Sequence, residues 1–168
     1  AEVLNRAAGI KITDAQSGYN AGILEYLRGN NDKAKEYLNT AYTKGILESS
    51  YYLAKIAMDE GDYQGARELF EKYAQDKGRV TLSGWYDGMA DCLMKEEKYQ
   101  EALACVAKGL ALEDISAMKQ LMQKKVVLNE KLTDYNKAYE AALEYGKLYP
   151  EDKEMAREII FLSTRKSK

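Results

Sequence analysis

A chain of 168 residues with 25 Lys and Arg against 27 Asp and Glu has room for one domain or one array of small units. The formal charge of −2 is spread evenly, and no basic cluster is present to displace phosphate counterions, so nucleic acid is not expected as a partner. Histidine, the commonest general base and metal ligand, is missing altogether, and the longest strongly apolar run, Ile159 to Leu162, falls far short of the ~18 residues a membrane span needs. One proline, Pro150, in a composition rich in Ala, Leu, Lys and Glu predicts an all-helical chain. Two cysteines, Cys92 and Cys105, are too few for a disulfide scaffold and read as buried free thiols.

The chain opens "AEVLNRAAGI", without methionine and in the middle of a helical pattern. Such an opening suits either the extracytoplasmic part of an anchored or secreted bacterial protein, trimmed of its leader, or a domain cut from a cytoplasmic one. Leu4 and Ala7 fit the second half of a helical hairpin over residues 1–12. Further along, "EGDYQGARELFEKY" (60–73) is echoed by "EEKYQEALACVAKG" (96–109). Each phrase has a polar opening, Tyr-Gln, an alanine three residues after the tyrosine, and then apolar residues at helical spacing.

That alanine occurs four times, at Ala34, Ala66, Ala102 and Ala138, in steps of 32, 36 and 36 residues. Four and seven residues later stand Leu38 and Ala41, Phe70 and Tyr73, Val106 and Gly109, Ala142 and Tyr145, one face of a helix in each copy. Twelve residues before each alanine is a compact residue, Gly22, Ala54, Ala90 or Val126, which lets two antiparallel helices approach closely. Between them lie Gly29-Asn30-Asn31, Gly61-Asp62, Glu97-Lys98 and Thr133-Asp134. Glycine there admits left-handed backbone, and Asp, Asn and Thr can cap the next helix. Lys44-Gly45 and Lys77-Gly78 close helices with a cation and a glycine, and Pro150, Glu151 and Asp152 open a final one with an acidic first turn.

These residues resemble the tetratricopeptide repeat family, whose helix–turn–helix unit recurs about every 34 residues. The small residue before the turn, the turn tyrosines Tyr63, Tyr99 and Tyr135, the four alanines and Pro150 at a repeat end carry the likeness. Gly18 stands where the family has a bulky aromatic, and Lys125 where it has an apolar residue. The resemblance implies an all-α fold, a right-handed α-α superhelix built of antiparallel helix pairs. The expected units are a trailing half-repeat at 1–12, repeats at 15–46, 47–80, 83–114 and 115–150, and a capping helix with its tail at 151–168.

In that family the first helix of each pair lines a concave face that receives partner segments. Carried over by spacing, the face here is Tyr19, Ile23 and Tyr26, then Tyr51, Lys55 and Met58, then Asp87, Asp91 and Met94, then Gln123, Val127 and Glu130. The tyrosines suit either ligand contact or packing on neighbouring helices. Asp87 and Asp91, like charges one turn apart, suit a partner's basic side chain, a solvated face, or pairing with Lys55. Trp85 and Tyr86 read as packing between repeats, and "STRKSK" (163–168) as a solvated tail. With Tyr19 and Ile23 where one subgroup of the family holds its carboxylate clamp, no preference for a free peptide C-terminus is expected.

No nucleophile with its base, phosphate-cradling loop or metal-ligand cluster is legible, so no enzyme activity, metal or cofactor is expected. The reading is a non-catalytic scaffold that binds a protein or peptide segment. Alternatives are a spacer or oligomerisation segment of a larger protein, membrane-anchored or not, and a helical-repeat RNA binder, which the balanced charge disfavours.

Overall fold

The computed structural model describes residues 14–166, which form nine α-helices and no strand. They are α1 (Ala15–Leu27), α2 (Asn31–Thr43), α3 (Ser49–Asp59), α4 (Tyr63–Lys77), α5 (Ser83–Lys95), α6 (Tyr99–Leu110), α7 (Met118–Lys131), α8 (Tyr135–Leu148) and α9 (Lys153–Arg165). The half-repeat expected at 1–12, with Leu4 and Ala7, lies outside the described residues, as do Ser167 and Lys168. The chain divides into two compact units, Ala1–Val80 and Thr81–Lys168.

In the first unit α1 packs on α2 and α3 on α4, with α2 against α3 joining the two hairpins. In the second, α5 packs on α6, α7 on α8, α6 on α7, and α9 closes against α8. The four alanines are fully buried, as are the compact residues Ala54 and Ala90. Leu38, Phe70, Val106 and Tyr145 are also fully buried, so the stripe that recurs along the sequence is the core. Gly22 shows why compactness is required: a Cβ there would lie 2.6 Å from Leu38 Cγ.

One turn is built four times. At the end of α1, Gly29 N–H donates to Tyr26 O and Asn30 N–H to Glu25 O, and the same two bonds recur at Gly61/Asp62, Glu97/Lys98 and Thr133/Asp134. This is the Schellman closure, which satisfies orphan carbonyls by placing one residue in the left-handed region. Gly29 and Gly61 adopt it at φ 80° and 82°, whereas Glu97 and Thr133 are held at φ 59° despite their side chains. Thr133 thus holds the turn and does not cap. Asp62 and Asp134 do cap, accepting from Gly65 N–H at 2.9 Å and Lys137 N–H at 3.1 Å. Asn30, expected as a cap, instead donates to Glu25 Oε2 at 2.7 Å.

The loop 111–117 has no glycine and is organised by Asp114. Its carboxylate accepts from Ser83 N–H at 2.7 Å, Ser83 Oγ at 2.9 Å and Ser116 N–H at 2.9 Å. The buried Ser83 Oγ accepts in turn from Ala117 N–H at 3.0 Å. These donors, the backbone N–H groups of Ser116 and Ser83 foremost, hold the Asp114 carboxyl down at about 2. Pro150 and Glu151 precede α9, and Asp152 is its cap, accepting from Glu154 and Met155 N–H.

Candidate functional site

Each unit carries six of the twelve residues expected to meet a partner, all on first helices of hairpins. In the first unit α1 presents Tyr19, Ile23 and Tyr26, and α3 presents Tyr51, Lys55 and Met58, all half-buried. They gather around a residue the spacing did not select, Tyr52. Tyr19 and Tyr26 meet its ring edge-on at 5.9 and 6.2 Å, and Tyr51 at 5.2 Å. Tyr51 also reaches Phe70 and Tyr73 of α4. Lys55 Nζ lies 5.9 Å from the Tyr26 ring and 5.8 Å from the Tyr51 ring, within cation–π range. The tyrosines therefore pack and still present an edge outward. Burial raises the Tyr19, Tyr26 and Tyr52 hydroxyls, Tyr26 to about 12 with help from Asp59, so each stays a neutral donor at ordinary pH.

In the second unit the same helix positions carry charge. Asp87 and Asp91 of α5 share one cation, Lys124 of α7, at 2.6 and 3.2 Å. Lys124, only 16% exposed, was not singled out from sequence, where Lys55 was one of several partners considered for this pair. Burial raises the Asp91 carboxyl, and Lys124 partly opposes that rise. Met94 is half-buried on the same helix.

On α7, Gln123, Val127 and Glu130 line a cavity of ≈ 280 Å³ together with Asp152, Glu154, Met155 and Glu158. Gln123 Nε2 donates to Tyr145 Oη at 3.1 Å, and that hydroxyl donates to Asp152 at 2.6 Å. Val127 is 39% exposed at the mouth. Glu130 is raised first by burial and then by the neighbouring Glu158 carboxylate, while the buried Glu158 Oε1 has no hydrogen-bond partner. Four carboxylates thus surround the hollow, and Lys119, 3.9 Å from Asp152, is the one cation paired to any of them among the described residues.

Among the described residues no group of three or more Cys, Asp or Glu side chains is set to hold a metal ion, and no helix is long and apolar enough to cross a membrane. Cys92 and Cys105 are free thiols; burial pushes Cys105 up to about 12, leaving it unreactive. Trp85 is buried edge-on to Tyr86, whose Cβ lies against Gly109 of α6.

The family model for tetratricopeptide repeats matches residues 57–124. No curated protein sequence matches the chain. Several solved structures resemble it. MamA from Desulfovibrio magneticus RS-1, residues 41 to the end, superposes with a TM-score of 0.77 at 20% identity over 92% of this chain and 87% of that one. Pseudomonas aeruginosa PilF gives 0.70 at 20% identity over 94% and 70%. YrrB, described as a TPR protein with an unusual peptide-binding site, gives 0.61 at 18% identity over 95% and 89%. At these identities the likeness establishes the fold, which is all-α and tetratricopeptide-like. Residues 57–124 match the tetratricopeptide repeat model, and the helix pairs of the chain have the tetratricopeptide-like fold.

Proposed function

We propose that the chain is a non-catalytic scaffold that binds a segment of another protein through the first helices of its hairpins. The observation that carries this reading is the acidic cavity of the second unit. Three residues expected there by carrying over the family's concave face, Gln123, Val127 and Glu130, line a hollow whose carboxylates exceed their cations. A lysine or arginine from a partner would relieve the Glu130–Glu158 repulsion and give Glu158 Oε1 a donor. The first unit offers a different surface: tyrosine edges with Lys55 over them suit an apolar or aromatic side chain. A segment with a basic side chain fits the second unit and one with an apolar or aromatic side chain fits the first, and the peptide-binding site reported for YrrB is a precedent on this fold.

The test is selection of a random peptide-display library on the chain, followed by calorimetry of the enriched peptides. Enriched peptides should carry Lys or Arg, or aromatic residues, bind equally as amides and as free acids, and lose affinity either on Tyr51→Ala or on Glu130→Gln/Glu158→Gln. Binding indifferent to both changes would refute the assignment of the faces.

A further inference from the structure

The second helices of the second unit form a hollow of their own. It measures ≈ 510 Å³, within the range of about 300–1,000 Å³ typical of sites that bury a ligand group. Leu103 and Ala107 of α6, Ala111 just after it, and Ala141 of α8 give it apolar walls, and the small alanines leave it open. Asn129 and Lys125 of α7 reach it one turn apart, on the side of that helix away from Gln123 and Val127. Asn129 is 3% exposed; its Nδ2 donates to Lys125 O at 2.6 Å, leaving the carboxamide oxygen as an acceptor lining the hollow.

The rim carries two lysines, Lys125 and Lys137, and two glutamates, Glu140 and Glu144. Glu144 pairs with Lys125 at 2.8 Å, but Lys137 is taken by Asp134 at 2.7 Å, and Glu140 has no ion-pair partner among the described residues. An occupant should therefore bring large apolar side chains flanked by a cation.

Helix α9 of the same unit presents that combination outward. Arg157, Ile160, Phe161 and Thr164 follow the i, i+3, i+4, i+7 stripe of a helix laid into a groove, and all four are exposed. Ile160 is 68% and Phe161 44% exposed, with the Arg165 guanidinium 5.2 Å from the Phe161 ring. We propose that α9 of one copy docks into the α6–α8 hollow of another, with Ile160 and Phe161 on the alanine walls and arginine against Glu140 and Glu144. Donor and acceptor are different surfaces, so the contact is head-to-tail, and an assembly that does not close leaves one of each free at its ends. It stands independently of the partner-binding reading, which uses the other faces of these helices.

The experiment is sedimentation velocity on the purified chain from low micromolar to near-millimolar concentration. Three samples are compared with wild type: Ala107→Trp, which fills the hollow; Ile160→Glu/Phe161→Glu, which spoils the helix; and their equimolar mixture. All substituted residues are exposed, and circular dichroism checks that helicity is kept. Wild type should grow in mass with concentration. Each variant should stay at 19.0 kDa, while the mixture, holding one intact surface of each kind, should stop at about twice that mass. If Ala107→Trp unfolds, Glu140→Arg/Glu144→Arg replaces it as the blocked acceptor. A wild type that remains monomeric, a single variant that still associates, or a mixture that stays monomeric overturns the proposal.

Discussion

The two units use the same hairpin and the same two-bond closure at their turns, yet they stabilise it by different means. In the first, glycines occupy the left-handed positions at Gly29 and Gly61, and an aromatic cluster around Tyr52 fills the space between α1 and α3. In the second, Glu97 and Thr133 are forced into that conformation, and polar ties take over: Lys124 between two aspartates, Asp114 around Ser83, Tyr145 between Gln123 and Asp152. The contrast is sharpest at equivalent serines. Ser83 is buried with Asp114 as its partner, 31 residues on, whereas Ser49 is buried with its hydroxyl unpartnered, and the same step from it falls on Val80. A repeat fixes the shape of a hairpin and leaves the chemistry of its joints free to vary.

Removing the tie at Ser83 should have the largest effect. Ser83→Ala removes one of three donors to the Asp114 carboxylate and leaves Ala117 N–H without its acceptor, and should lower stability by about 2–3 kcal/mol. Trp85, the single tryptophan, lies two residues away, so its fluorescence in a urea titration reports this loss. The same tie has a pH signature. Because the folded Asp114 sits near 2, below its ordinary value of 3.8, its contribution is complete above about pH 4 and fades as pH falls toward 2. Asp114→Asn should flatten the acid limb of the Trp85 transition in that window; an unchanged limb would mean that other carboxylates govern it.

Next in size is Gly22→Ala. The added methyl meets the buried Leu38 at 2.6 Å, and overpacking should outweigh the helix-propensity gain, for a net loss of about 1–2 kcal/mol by circular dichroism in urea. Smaller and opposite in sign, Thr133→Gly should raise the urea midpoint by relieving a β-branched residue at φ 59°, a gain of about 1 kcal/mol. Gly29 and Gly61 offer no such gain, which is the contrast between the units in a single substitution. Smallest is Ser49→Ala, which removes an unsatisfied buried hydroxyl and should be neutral or stabilising by less than about 1 kcal/mol. A loss comparable to that of Ser83→Ala would show that Ser49 has a partner after all.

What the sequence made legible follows from what repeats. Ala34, Ala66, Ala102 and Ala138 recur at nearly constant steps because each sits where two helices cross, and all four are buried. The turns were equally readable where glycine marked them, and misassigned at Thr133, where a residue that usually caps was holding left-handed backbone instead. Lys124, Asp114 and Tyr52 escaped notice because they belong to no period. Lys124 acts on residues 33 and 37 positions away, and Asp114 sits in a loop without punctuation. Tyr52 is neighbour to the residue that the spacing selected, turned toward α1 where Tyr51 is turned toward α4.

The partner-binding reading is tested most directly by hydrogen exchange on the chain with and without a peptide selected from the display library. Protection should appear on first helices, at residues 19–26 and 51–58 or at 87–94 and 123–130. Protection confined to α2, α4, α6 and α8, with those segments exchanging as in the free chain, would contradict it.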